Sequence, residues 1–204
     1  MRSFFTESDR VEAFSDGVIA VIITIMVLEL RPPQSTDLAS LVHVWPTFAA
    51  YALSFTFVGI YWNNHHHMMR ATRGVDGWAM WANLHLLFWL SLAPFTTAWL
   101  GQNPSSTWPT AVYGTGLLLD AIAYTLLRRA LVSVNGKDSP FAAAAKDSVK
   151  EYASVVLYVV ALGFAFAAPV VSDVIFVGVA ISWLVPERRF EPLIASQGER
   201  AGRS

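Results

Sequence analysis

No cysteine occurs among the 204 residues. Disulfides, thiolate metal sites and cysteine nucleophiles are therefore excluded. Charge is scarce too: 14% of residues are Asp, Glu, Lys or Arg, against about 25% in an ordinary soluble domain. The formal net charge of −1 provides no basic field for nucleic acid, so no nucleic-acid partner is expected. There is no phosphate-binding glycine loop and no glycine-framed nucleophilic serine. Ser15-Asp16 with His65 could be drawn as a hydrolytic triad, but nothing supplies an oxyanion hole. The expectation is a protein that is not an enzyme, with no catalytic residue and no cofactor. No internal repeat is visible. No signal peptide is expected either, because acidic residues precede the first apolar run and no small-x-small cleavage site follows it.

What is present is hydrophobicity. Residues of that class make up 54% of the chain, and the mean hydropathy is +0.45. This is the composition of an integral membrane protein. Six apolar segments approach the ~20 residues that a bilayer requires. They run roughly over 13–30, 46–68, 78–100, 108–131, 152–168 and 170–185. Turn signals separate them: Arg31-Pro32-Pro33-Gln34, Arg73-Gly74-Val75-Asp76-Gly77, Gly101-Gln102-Asn103-Pro104 and Asn135-Gly136-Lys137-Asp138. Only Ala168-Pro169 divides the last two, which predicts a tight helical hairpin. Pro94 predicts a kink in the third.

Lysine and arginine counts in short loops set orientation. Arg2, Arg10, Arg70, Arg73, Arg128, Arg129, Lys137, Lys146, Arg188 and Arg189 fall at the N-terminus, in alternate loops and after the sixth span. The intervening loops carry almost none. Both termini of this multi-pass chain are therefore expected on the cytoplasmic side. Trp45, Trp62, Trp78, Trp81, Trp99, Trp108 and Trp183 lie near predicted span ends, as interfacial anchors do.

The most informative run is Arg10-Val11-Glu12-Ala13-Phe14-Ser15-Asp16-Gly17, which leads directly into Val18–Leu28. It sets ionisable groups at the mouth of a nearly aliphatic helix, where they are costly unless paired or wetted. At about 100° per residue, Gly17, Val21, Thr24 and Leu28 share one narrow stripe, and Arg10 falls on it. Asp16 sits about 100° away, toward a neighbouring helix. Packing alone would account for such a stripe. Four copies meeting on a symmetry axis would instead turn it into a pore. Val21 and Leu28 would then form apolar constrictions, and Thr24 hydroxyls would replace part of an ion's hydration shell.

These residues resemble the lysosomal and endosomal potassium channel family of transmembrane protein 175 type, in its single-repeat prokaryotic branch. Its signature is Arg10-x-x-x-Phe14-Ser15-Asp16-Gly17. Tyr61-Trp62-Asn63-Asn64-His65 resembles the family's second-helix Trp-x-x-His element. Asn83-Leu84-His85-Leu86-Leu87-Phe88 and Leu92-Ala93-Pro94-Phe95-Thr96-Thr97 resemble its third-helix elements. The likeness covers the first hundred residues; the later helices match only in number and length. It implies an all-α homotetramer, six transmembrane helices per subunit, with the first helices lining a central pore and the whole of 1–204 one channel domain. Animal members are expected to carry two such repeats and to assemble as dimers, whereas one repeat favours four subunits. The implied pore residues are Gly17, Val21, Thr24 and Leu28, with Val21 narrowest. Valine is smaller than the isoleucine or leucine expected there, which implies a looser gate. Arg10, Phe14, Ser15, Asp16, Trp62 and His65 are implied to lock helices together, with Ser15 and Asp16 bonding Trp62 and His65. The implied partners are further copies of the chain, the lipid bilayer, and potassium with other monovalent cations.

The potassium-filter sequence threonine-valine-glycine-tyrosine-glycine is missing, so any potassium preference must come from side chains and pore width and is expected to be modest. A secondary transporter of cations or small solutes is the competing reading. Transporters usually show repeats and broken helices. His65-His66-His67 invites a metal, yet consecutive helical residues point in different directions and cannot ligate one ion together. No metal site is expected. Asp120, inside the fourth segment with Tyr124 four residues on, is an intramembrane acid; a hydrogen bond to a neighbouring helix is the favoured reading over an ion site. Asn83, His85, Thr96 and Thr97 are candidate inter-helix links. Gly114, Gly116 and Gly163 are expected to permit close packing.

Overall fold

Backbone groups in a bilayer have no water to bond, so apolar runs must satisfy them internally, and helix does this within one segment. The computed structural model describes residues 7–33, 35–146, 149–184, 190 and 193–194. Among these, nine helices are found: α1 (Glu7–Leu28), α2 (Leu38–His43), α3 (Trp45–Ala71), α4 (Gly77–Leu90), α5 (Ala93–Gln102), α6 (Thr107–Asn135), α7 (Pro140–Ala144), α8 (Val149–Ala165) and α9 (Pro169–Trp183). Arg2, Arg188, Arg189 and the polar tail from Ser196 lie outside the described residues.

The first, second and fourth apolar segments become α1, α3 and α6. The third does not stay one kinked helix but breaks into α4 and α5. Pro94 has no N–H to return to the Leu90 carbonyl, and α4 ends at Leu90. The Ser91 amide still reaches the Leu87 carbonyl (2.9 Å), while that of Leu92 tightens onto Trp89 (3.0 Å). Proline then opens α5 in its first turn, where the missing donor costs nothing. The predicted hairpin is α8 and α9, joined by Phe166–Ala168 and clasped where the Ser172 hydroxyl donates to the Ala161 carbonyl (2.7 Å). Two stretches, Ser8–Leu28 and Gly77–Gln102, are long and apolar enough to cross a membrane. Helix α2 lies between the first two apolar segments, beyond the turn signal at Arg31-Pro32-Pro33-Gln34.

Helix α6 is the hub, packing against α4, α5, α8 and α9, while α1 packs on α3, α4 and α5. One apolar cluster joins Ile19, Ile22 and Met26 of α1 to Val58, Leu86, Leu90, Leu127 and Leu131. A second gathers Phe57, Tyr113, Tyr158 and Phe176 around α6, α8 and α9. The glycines do not all serve close packing. A Cβ on Gly101 would stand 2.7 Å from the Thr47 backbone, and one on Gly114 would stand 2.7 Å from the Phe176 ring. Gly116 and Gly163 have nothing within 4 Å, so for those two the expectation fails. Gly101→Ala should push α5 off α3 and break the Thr47 hydroxyl bond to the Gly101 carbonyl (3.1 Å). We expect it to cost about 1–3 kcal/mol, read as a lower melting midpoint in detergent. Gly163→Ala should leave the midpoint unchanged or raise it.

Candidate pore helix and its anchoring network

Helix α1 has two chemically distinct sides. Ser15, Ile19, Ile22 and Met26 are buried in the bundle. On a helical wheel with Gly17 at zero they fall at about 140–200°. Gly17, Val21, Thr24 and Leu28 fall at about −20 to 40°, on the opposite side, and all four are exposed. Val21 is 54% exposed and Leu28 77%, so the described residues leave the stripe largely uncovered. Arg10 and Phe14 also point away from the bundle. The Thr24 hydroxyl donates to the carbonyl of Val21 (2.9 Å). Its proton is thereby spent along the helix, and its oxygen lone pairs remain free.

The opposite side of α1 is pinned by two polar links. In the first, the Trp62 indole Nε1–H donates to Asp16 Oδ1 (3.0 Å), joining α3 to α1 as the sequence resemblance implies. The second runs through a residue that the resemblance did not assign to the lock. Among the described residues no hydrogen bond joins His65 to Ser15 directly. His65 Nε2 bonds Asn83 Oδ1 (2.8 Å), Asn83 Nδ2 donates to Ser15 Oγ (2.9 Å), and the Ser15 hydroxyl donates to the Val11 carbonyl (2.8 Å). With Asn83 Nδ2 on Ser15 and Oδ1 on the ring, the bond from His65 is one in which Nε2–H donates. All three side chains are buried: His65 0%, Asn83 2% and Ser15 0% exposed. The relay ties α3, α4 and α1 in one step. Asn83 was legible in the sequence only as a family element and an inter-helix candidate; its place between histidine and serine needed the packed bundle. Arg10 and Phe14 are not part of the network within one chain, because the helical register turns them outward.

Further along the bundle, Thr97 Oγ1 donates to Ser54 Oγ (2.7 Å), and Ser54 Oγ bonds the Tyr113 hydroxyl (2.9 Å). This links α5, α3 and α6, as expected for Thr97. Among the described residues the Thr96 hydroxyl bonds the Ala93 carbonyl of its own helix (3.2 Å), and His85 accepts from Trp89, also on its own helix (2.9 Å). Asp120 departs from the favoured reading. It is buried, and its Oδ1 has no hydrogen-bond partner among the described residues; it borders a cavity shared with Ser54, Tyr61 and Tyr113. At the far end of α6, Arg128 pairs with Glu151 (3.0 Å) and donates to the Ala145 carbonyl (2.8 Å). The histidine run splits as helical geometry requires. His65 enters the bundle, and His66 Nδ1 lies 2.8 Å from Glu12 Oε1.

The family model of the endosomal/lysosomal potassium channel TMEM175 matches residues 10–94. A Chryseobacterium protein named as a potassium channel is 47% identical over 182 residues, 89% of this chain and 95% of the relative. This chain belongs to the TMEM175 family. A Streptomyces collinus protein also named as a potassium channel is 37% identical over 129 residues, 59% of this chain and 63% of that protein. The crystal structure of a lysosomal potassium-selective channel TMEM175 homologue from Chamaesiphon minutus superposes with a TM-score of 0.77 at 29% identity, covering 88% of this chain and 97% of the other. The stretch matched by the TMEM175 model holds the α1 stripe, Trp62, His65 and Asn83, and it ends at the Pro94 break. Asp120 and the Arg128–Glu151 pair lie beyond it.

Proposed function

We propose that this chain is one subunit of a potassium-permeable, modestly selective cation channel in the prokaryotic plasma membrane. Its family is one of ion channels, not enzymes. The observation that carries the reading is the bare stripe of α1. Gly17, Val21, Thr24 and Leu28 face away from the bundle that buries the other side of the helix. Each chain supplies one such stripe, so a closed pore requires several copies around an axis. Four is the number we propose, with six membrane spans per subunit (α1, α3, α4–α5, α6, α8 and α9) and both termini cytoplasmic.

In that assembly Val21 and Leu28 form two apolar rings about 10 Å apart along the axis, at 1.5 Å per residue. Apolar rings of this kind gate by dewetting. Thr24 lies between them. Its hydroxyl already donates to Val21, so the oxygen presents lone pairs, which is what a partly dehydrated cation needs. Beside the stripe, Phe14 and Ile25 form an exposed apolar groove with Pro94 and Phe95, which would receive the next subunit. Asp16 and the His65–Asn83–Ser15 relay do not meet the ion; they hold the angle at which α1 presents its stripe.

Cysteine scanning tests this directly in a chain with no cysteine of its own. Single cysteines at Val21, Thr24 and Leu28 should let a membrane-permeant or soluble thiol reagent block current. A cysteine at Ile22, buried on the packed side, should not. Current that survives confirmed labelling at all three stripe positions would remove α1 from the pore.

A further inference from the structure

Glu12, Asp16 and His66 converge at one end of the α1–α3 contact. Glu12 and Asp16 are four residues apart, hence on one face of α1. His66 comes across from α3. One ligand atom from each can be chosen so that all three lie within 4.8 Å of one another. The closest pair, His66 Nδ1 and Glu12 Oε1, is 2.8 Å apart. That nitrogen is closed off from solvent and has no partner in hydrogen-bonding geometry.

The surroundings hold the three groups in place. Trp62 Nε1 takes Asp16 Oδ1, so Oδ2 is left for another partner and the carboxylate plane is fixed. The Trp62 ring also lies against the His66 ring, with centroids 5.9 Å apart and planes 30° apart. One indole thus orients two of the three groups, the supporting role that outer-shell residues play around metals. The Glu12 and His66 side chains are only 14% and 28% exposed. The cluster is shielded yet still reachable from water.

We infer that Glu12, Asp16 and His66 form a site for a divalent transition-metal ion of the zinc class, which bridges α1 to α3. The donor set decides the class. One imidazole nitrogen and two carboxylate oxygens suit zinc, cobalt or nickel, whereas magnesium and calcium prefer oxygen alone. Metal–ligand lengths of ~2.1 Å at tetrahedral or octahedral angles set ligand atoms about 3.0–3.4 Å apart, so the cluster closes by about 1–2 Å to complete the site, with water in the remaining positions. His65 and His67 are not ligands. The bridge does not depend on the pore assignment, although it clamps the same helix that carries the stripe.

The test uses the full chain, purified in detergent with its affinity tag removed. Zn²⁺ titrated calorimetrically should bind saturably at one ion per chain and raise the melting midpoint. Glu12→Gln and His66→Gln should each weaken binding by more than about tenfold, and His67→Gln should not. Glu12→Cys supplies a positive readout that does not rely on loss. With Co²⁺ it should gain a near-ultraviolet sulfur-to-cobalt charge-transfer band, which His66→Gln in the same chain abolishes. Absence of saturable Zn²⁺ binding by the parent overturns the site. So does binding that His67→Gln removes while Glu12→Gln leaves it intact, since the ion would then sit on the histidine run. A Glu12→Cys chain without the cobalt band overturns it as well.

Discussion

Asn83→Ala should be among the most damaging single substitutions in the chain. It removes one side chain and orphans two others, because His65 Nε2 and Ser15 Oγ both bond Asn83. Both neighbours are fully buried, so water cannot replace the lost partner. A buried donor or acceptor left unmet costs about 1–3 kcal/mol, whereas an inter-helix hydrogen bond in membrane proteins averages only about 0.6 kcal/mol. The orphaning therefore dominates the lost bond. We expect a loss of about 2–4 kcal/mol, or a fall of about 5–15 °C in melting midpoint, together with less assembled protein and less current. Asp16→Ala should act in the same direction but less strongly. The Trp62–Asp16 bond lies in a partly exposed place, where solvent can serve the indole that is left behind. Thermal melting of the three proteins in one detergent measures both. If Asn83→Ala melts with the parent, the relay is not what holds α1. An Asp16→Ala protein as stable as the parent but altered in ion selectivity would move Asp16 into the conduction path.

Thr24→Val should reduce the potassium-to-sodium permeability ratio by about three- to fivefold, the equivalent of about 0.6–1 kcal/mol of differential stabilisation. Valine keeps the size and branching of threonine and removes only the oxygen. In the parent, that oxygen has given its proton to the Val21 carbonyl and can stand in for water around a cation. Potassium sheds its shell more readily than sodium, so partial replacement favours it. The valine form should also conduct less, because it inserts a third apolar ring between those of Val21 and Leu28. Thr24→Ser, which restores the oxygen, should recover the ratio. Bi-ionic reversal potentials on reconstituted protein decide the matter. An unchanged ratio in Thr24→Val, with current still measurable, would place selectivity in the width of the layers at Val21 and Leu28.

The α1 stripe could be read from the chain alone, for a physical reason, while the family was legible only through the resemblance of its motifs. A helix has a fixed angular step, so residues 17, 21, 24 and 28 share a face whatever surrounds them. The separation of Asp16 from that face follows from the same arithmetic. The apolar segments were legible because a membrane demands long uninterrupted runs, and composition records that demand directly. Pro94 announced a disturbance, since its missing amide acts locally. Whether the result is a bend or two helices depends on what packs around Ser91 and Leu92, and only the bundle decided it.

Partnership across helices was not legible in the same way. Asn83 stands 18 residues from His65 and 68 from Ser15, and no periodicity relates one helix to another. Their contact depends on the rotation and depth of α1, α3 and α4, which side-chain packing sets. The same holds for the glycines. Gly114 and Gly163 look alike in sequence, yet only one meets an aromatic ring. It holds for the histidine run too, where the angular step showed that three neighbours could not share an ion, while the tertiary structure alone brought His66 to two carboxylates of another helix. Local geometry is written into the order of residues; the meeting of distant side chains is a property of the packed fold.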